Sequence, residues 1–301
     1  MALVLFSTFP AAGQAQVARF AARSDLVVLS ATAVDRKGRP VTDLRREEFR
    51  VFEDGQPQRL EHFSPARDSR ARLLLLVDAS GSMTGELKTA SARMAITHVL
   101  AALDPTDEVA MAGFDQRYFG LVRFTTDHRQ ILQAFDQIET FGSTGLHDAL
   151  DHAARDLASH GEGRRAVVVI TDGIDTASQN RPEDVIARSR ALDVPIYALT
   201  VVSPLDDPAS PGYTGRVQAG PAVAGAQTLA RYADQSGGAA FVVSDFGGLR
   251  SAASKIAYEL KHQYRLGYDP PEGPPRFRRV EVRTTRKGVI VRTRSGYVPQ
   301  S

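Results

Sequence analysis

Two short stretches constrain this chain more than anything else in it. Leu73-Leu74-Leu75-Leu76-Val77 and Ala166-Val167-Val168-Val169-Ile170 are apolar at every position. Each is too short for an ordinary helix, and neither alternates. A strand with no polar face has nothing to offer water, so it must be covered on both sides. In practice that means a mostly parallel sheet with helices above and below. The intervening segments agree. Residues 87–103 place Leu87, Ala90, Met94, Val99 and Leu103 near one helical face before Asp104-Pro105 stops the helix. Residues 129–138, 146–158, 183–192, 227–236 and 249–262 read as further helices, with Pro182 suited to a first turn and Gly237-Gly238 to an end. Residues 109–114 and 119–124 read as a hairpin pair, and 195–201 and 241–243 as strands. The expectation for 70–262 is an α/β fold, a doubly wound and mostly parallel sheet. Residues 203–225, rich in Pro, Gly and Ala, are expected to form a long irregular loop.

Two β-rich flanks surround this unit. In 26–66, Leu26 to Val34 is rich in β-formers and Asp35-Arg36-Lys37-Gly38 reads as a turn. Residues 49–53 alternate, and Asp54-Gly55 is a strong hairpin signal before a second alternating run at 58–63. In 263–299, residues 264–268 alternate, and 278–283 and 289–292 are expected to pair across Arg286-Lys287-Gly288. Each flank alone is too small to be stable. The economical expectation is one small β-sandwich built from both flanks, with the α/β unit inserted between them. A length of 301 residues fits two units better than one.

Composition closes several routes. Lys and Arg number 37 against 35 Asp and Glu, so no charge excess calls for nucleic acid or an anionic membrane. The basic residues Arg279, Arg283, Arg286 and Lys287 lack interleaved aromatics and read as a solvated strand face. Without cysteine there are no disulfides, no thiolate catalysis and no Cys-ligated zinc. The uncharged apolar run 2–12 leads into Gly13-Gln14-Ala15, small residues at the positions a signal peptidase reads; export is expected, although no basic n-region precedes the run. The run is too short to span a bilayer, and no other segment approaches that length.

The residues that carry chemistry sit at strand ends. Asp78-Ala79-Ser80-Gly81-Ser82 follows the leucine run, where open α/β sheets place their ligands. Residues two apart in a turn converge, and Gly81 permits tight folding. One carboxylate and two hydroxyls make part of the shell a hard divalent cation wants. Gly142-Ser143-Thr144-Gly145 offers a third hydroxyl before a helix, and Thr171-Asp172-Gly173 offers a second carboxylate at the end of the other buried strand.

Asp78-x-Ser80-x-Ser82, Thr144 in a Gly-rich loop and Asp172 before Gly resemble the metal-ion-dependent adhesion site of von Willebrand factor A and integrin I domains. The resemblance spans about 70–262, with gaps near 60 and 30 residues between the three pieces. It implies that Ser80, Ser82 and Thr144 touch the metal directly, while Asp78 and Asp172 act mainly through waters. The implied ion is Mg²⁺, with Mn²⁺ and Ca²⁺ as substitutes. The flanks are similar to those of VWA-containing proteins of acidobacteria and relatives, in Val41-Thr42-Asp43-Leu44, Phe52-Glu53-Asp54-Gly55, Tyr264-Arg265-Leu266-Gly267-Tyr268 and Arg294-Ser295-Gly296-Tyr297. A metal so held is short of one anionic ligand, which an Asp or Glu of another protein can supply. The expected role is therefore a metal-dependent protein-binding module, adhesive or scaffolding, exported and not enzymatic. The alternative is an assembly subunit whose metal only stabilises the fold. The I-domain resemblance also implies that the Thr144 loop or the helix at 249–262 shifts on ligation.

Blander roles compete for single residues. Asp78 or Asp172 alone would be read as a cap. Asp148 beside His147 suits a helix first turn, Asp115 suits a turn, and Asp175 either tunes the site or lies on a surface loop. A hydrolase finds little support. Gly81-Ser82-Met83-Thr84-Gly85 has Met where a nucleophile elbow needs Ser, and neither a P-loop nor an H-E-x-x-H is present. A Mg²⁺-type ion also acidifies water far less than zinc does.

Overall fold

The computed structural model describes residues 26–65, 70–161, 163–202 and 220–299. The apolar leader and most of the 203–225 segment lie outside these residues. Four strands come first: β1 (Val27–Asp35), β2 (Phe49–Glu53), β3 (Gln56–Gln58) and β4 (His62–Ser64). The α/β unit follows as β5 (Ala71–Asp78), α1 (Glu86–Ala102), β6 (Glu108–Phe114), β7 (Tyr118–Thr125), α2 (His128–Phe135), α3 (Leu146–Ser159), β8 (Arg164–Thr171), α4 (Pro182–Leu192), β9 (Ile196–Val201), α5 (Gly220–Ser236), β10 (Ala240–Val243) and α6 (Phe246–Lys261). Four more strands end the chain: β11 (Tyr264–Tyr268), β12 (Arg278–Thr284), β13 (Val289–Arg292) and β14 (Gly296–Tyr297).

The central sheet has the order β10-β9-β8-β5-β6-β7, parallel except for β7. Its middle strand β5 explains the leucine run. Leu73, Leu75 and Val77 point into the layer of α1, α2 and α6, while Leu74 and Leu76 point into the layer of α3, α4 and α5. With side chains alternating between two buried faces, only an unbroken apolar run satisfies both. Strand β8 does the same with Ala166, Val168 and Ile170 on one side and Val167 and Val169 on the other. The chain travels outward from β5 through β6 and β7, then returns to the other side of β5 with β8. The strand order therefore reverses between β5 and β8, and their C-terminal ends border a crevice.

The flanks form two four-stranded antiparallel sheets, β13-β1-β11-β4 and β14-β12-β2-β3. Each contains strands from both ends of the chain. Strand β1 pairs with β11 and β13, β4 with β11, and β2 with β12. Val27, Leu29, Phe49, Val51, Tyr264, Leu266, Val280 and Val282 fill one shared core. The Asp54-Gly55 hairpin forms with both residues at positive φ, 49° and 80°, the conformation a two-residue type I′ turn demands. We propose the corresponding division of the chain, 26–66 with 263–299 around an inserted 70–262.

Three expectations change. Strands β12 and β13 do not pair as a hairpin but lie in different sheets, joined by an arch at 285–288. Val280 and Val282 already face the core from one sheet, and Val289 and Val291 reach it from the other, alongside the β1 edge at 32–35. The alternating run at 58–63 splits into the ends of β3 and β4, again in opposite sheets. Helix α5 begins at Gly220, inside the segment expected to be loop.

A buried ion pair holds the sandwich closed. Glu53 accepts hydrogen bonds from the Tyr268 and Tyr297 hydroxyls at 2.7 and 2.8 Å and from Arg278 Nη1 at 2.9 Å. All four residues are buried. Removing one member strands the rest in a low-dielectric core. Glu53→Ala is expected to cost about 3–5 kcal/mol of unfolding free energy in urea titrations; a cost below about 1 kcal/mol would show that Arg278 reaches water.

Candidate metal centre

The crevice between the β5 and β8 ends gathers the oxygen-bearing residues. Asp78 is the last residue of β5 and is 2 % exposed. Its Oδ1 accepts from the Ser80 amide at 2.9 Å, and its Oδ2 from the Thr171 hydroxyl at 2.5 Å. The register that sets Val77 beside Ile170 puts Thr171 next to Asp78. Ser80 leads into a 3₁₀ turn at Gly81–Met83, and its hydroxyl lies 3.1 Å from that of Ser82. Ser80 is fully buried, whereas Ser82 is exposed at the mouth.

The Thr144 loop lies across this turn. The Phe141 amide donates to the Ala79 carbonyl at 2.9 Å, and the Gly81 amide to the Gly142 carbonyl at 3.0 Å. A side chain at position 81 would press on that carbonyl, with Cβ 3.3 Å away. Thr144 is buried, and its backbone is held from the β8 side by Thr176, whose hydroxyl accepts the Thr144 amide at 2.9 Å. Asp172, also buried, adds its negative charge to the surroundings of Asp78. Asp172 Oδ2 receives Lys88 Nζ at 2.9 Å, and the same ammonium donates to the Ser82 carbonyl at 2.8 Å. Backbone and side-chain contacts thus bring together the three loops carrying Asp78, Ser80, Ser82, Thr144 and Asp172. Lys88 is the member of the cluster that the sequence motif does not mark; its place on the first turn of a helix just after the Asp78–Ser82 loop is the signal that could have found it.

The neighbouring polar residues support the loops. Asp148 sits in the first turn of α3, as expected, but its carboxylate accepts the Gln179 and Asn180 amides at 2.9 and 2.8 Å. Asp175 accepts the Ser178 hydroxyl at 2.6 Å, and His147 Nδ1 meets the Tyr232 hydroxyl at 2.9 Å. Burial pushes the His147 imidazole below its ordinary value, against the opposing charges of Asp175, Asp148 and Glu183. Asp115 makes a turn, its carboxylate accepting the Arg117 amide at 2.7 Å, while its carbonyl accepts the Gly145 amide. Gly173, at φ 85°, lets α5 approach: a Cβ on Gly225 would lie 2.1 Å from the Gly173 carbonyl oxygen.

Residues 73–255 match the family model of the von Willebrand factor type A domain. The chain belongs to that family. Among solved structures it is similar to a von Willebrand factor type A protein from Catenulispora acidiphila, at 11 % identity and TM-score 0.52, over 93 % of this chain and 75 % of that one. It is also similar to proximal thread matrix protein 1 from the mussel byssus, in a structure with a zinc-occupied MIDAS motif (16 % identity, TM-score 0.52, 70 % of this chain and 50 % of that one). BatB from Bacteroides thetaiotaomicron aligns at 19 % identity and TM-score 0.49, over 64 % of this chain and 99 % of that one. No curated protein matches the chain. The likenesses to the Catenulispora and mussel proteins establish the fold.

Desolvation pushes the Asp78 carboxyl up to about 6, against its ordinary 3.8, overriding its hydrogen bonds from Ser80 and Thr171. A raised carboxyl value means that the folded state holds the proton more tightly than the unfolded state. Its stabilising contribution is full below pH 3.8 and is lost as pH rises through about 6. In EDTA at pH 7, Asp78→Asn should therefore be more stable than the native VWA protein by about 2–3 kcal/mol, the gap closing near pH 4. Urea titrations at both pH values check this; a less stable variant at pH 7 would contradict it.

Proposed function

We propose that this VWA protein binds one divalent cation through Asp78, Ser80, Ser82, Thr144 and Asp172 and uses it to hold a carboxylate of another protein. The observation that carries this reading is the burial of two carboxylates and two hydroxyls at the β5–β8 crevice, with the Ser82 hydroxyl at its mouth. The donor set is all oxygen. It suits Mg²⁺ or Mn²⁺, and Ca²⁺ less closely because Ca²⁺ wants more ligands. When bound, the ion supplies a Lewis-acidic position that a carboxylate can fill in place of water. Ser80 and Ser82 are oriented by the 3₁₀ turn, and Thr144 by the backbone ties of its loop.

The surroundings favour a protein partner. Phe141, one residue before Gly142, is 60 % exposed, and Leu87, beside Lys88, is 67 % exposed. Leu87, Lys88 and Phe246 line an apolar depression of about 250 Å³ next to the site. Exposed apolar groups around a polar centre are the usual marks of an interaction surface. The mussel protein whose structure carries zinc in its MIDAS motif is a matrix protein, in keeping with adhesion or scaffolding outside the cell. We propose the same location for this chain, on the strength of the export expected from the apolar run at 2–12.

A purely structural metal is less well supported. The Asp78–Ser82 and Thr144 loops are already joined by backbone hydrogen bonds and need no ion to meet. Hydrolysis also fits poorly. The Ser80 and Ser82 hydroxyls face each other, while His147 is engaged with Tyr232 and lies 3.8 Å from Asp175. Removing the Thr144 hydroxyl should weaken Mn²⁺ binding about tenfold or more in calorimetry, leaving the melting temperature in EDTA nearly unchanged. Wild-type protein that takes up neither Mn²⁺ nor Mg²⁺ at millimolar concentration would refute the assignment.

A further inference from the structure

Lys88 occupies a position that helix physics disfavours. It lies in the first turn of α1, whose partial positive charge repels a cation. It lacks the freedom of a surface lysine, because its side chain is only 23 % exposed. Its ammonium is fastened at both ends of the crevice, to Asp172 Oδ2 from β8 and to the Ser82 carbonyl from the β5 loop. A local rule broken next to a cluster of buried carboxylates calls for a compensating role.

We infer that Lys88 is a tethered cation built into the centre, one that opposes the divalent ion and reserves its charge for an incoming anion. The inference rests on the metal-binding reading above. The charges decide it. Asp78 and Asp172, acting through waters, leave a divalent ion short of one anionic ligand, but by themselves they bring the loaded crevice to zero net charge. With the Lys88 ammonium in place, the metal-free crevice carries one net negative charge and the metal-loaded crevice one net positive charge. A single Asp or Glu side chain of a partner then brings the centre to neutrality. Lys88 thereby lowers the affinity for metal and raises the affinity of the loaded centre for carboxylate. In the metal-free protein the same ammonium pairs with Asp172, which would otherwise be a buried, unpaired charge.

The test uses the full chain and Lys88→Met, which keeps the length of the stem and removes the charge. Mn²⁺ titrations by calorimetry should show the variant binding about tenfold more tightly than wild type, since one unit charge a few ångströms from the ion is worth more than 1.4 kcal/mol at the dielectric of a protein surface. Acetate titrated into the Mn²⁺-loaded proteins, followed by water-proton relaxation, should bind the variant more weakly. In EDTA the variant should melt below wild type, and in saturating Mn²⁺ that gap should close. Lys88→Gln, shorter but also uncharged, should move the Mn²⁺ affinity in the same direction. Equal or weaker Mn²⁺ binding by both variants would overturn the role of Lys88 while leaving the metal centre standing. If neither wild type nor the variants bind Mn²⁺, the metal reading falls and the Lys88 inference with it.

Discussion

The architecture depends on β5 being buried on both faces. Leucines at 73, 75 and 74, 76 feed two separate cores, and every helix of the α/β unit packs on one or the other. Because β5 is central, the chain must leave it in one direction and come back on the other side, which opens the crevice beside Asp78. The site is thus a consequence of sheet topology. The strands end there, their last side chains are no longer needed for packing, and the loops between them can carry oxygen donors.

The two ends of the chain solve a different problem. Neither flank has a core of its own, and the ladders between β1 and β11, β1 and β13, β4 and β11, and β2 and β12 all join the N-terminal to the C-terminal segment. The sandwich also grips the inserted unit. Asp193 accepts the Ser30 amide and hydroxyl at 3.1 and 2.9 Å, and Arg294 reaches the Val28 and Arg190 carbonyls at 2.8 and 2.6 Å. Helix α6 passes into β11 after only His262 and Gln263, its Glu259 pairs with Arg292 of β13, and its last carbonyls accept from Arg164. Any displacement of that helix has to carry or break these contacts.

Function and stability pull against each other at the crevice. Burial raises the Asp78 carboxyl well above its ordinary range, which is the opposite of what folding alone would favour. Hydrogen bonds from Ser80 and Thr171 offset part of that cost. The divalent-ion centre proposed here is the kind of place where a protein retains such an imbalance.

Much of this was legible in the sequence, for a definite reason. Side-chain periodicity is local, so the unbroken apolar runs specified doubly covered strands, and the glycine after Asp54 specified its hairpin. The residues Asp78, Ser80, Ser82, Thr144 and Asp172 were named from their resemblance to the metal-ion-dependent adhesion site, and hydrogen bonds between the loops that carry them bring those loops together. Pairing between distant strands is not local. Nothing in residues 278–292 distinguishes a hairpin from an arch between two sheets; the choice was made by the open edge of β1 and by β2, far away in sequence. Lys88 carries only a weak local signal, a cation in the first turn of a helix; its pairing came from the fold, which sets Asp172, 84 positions later, against its ammonium.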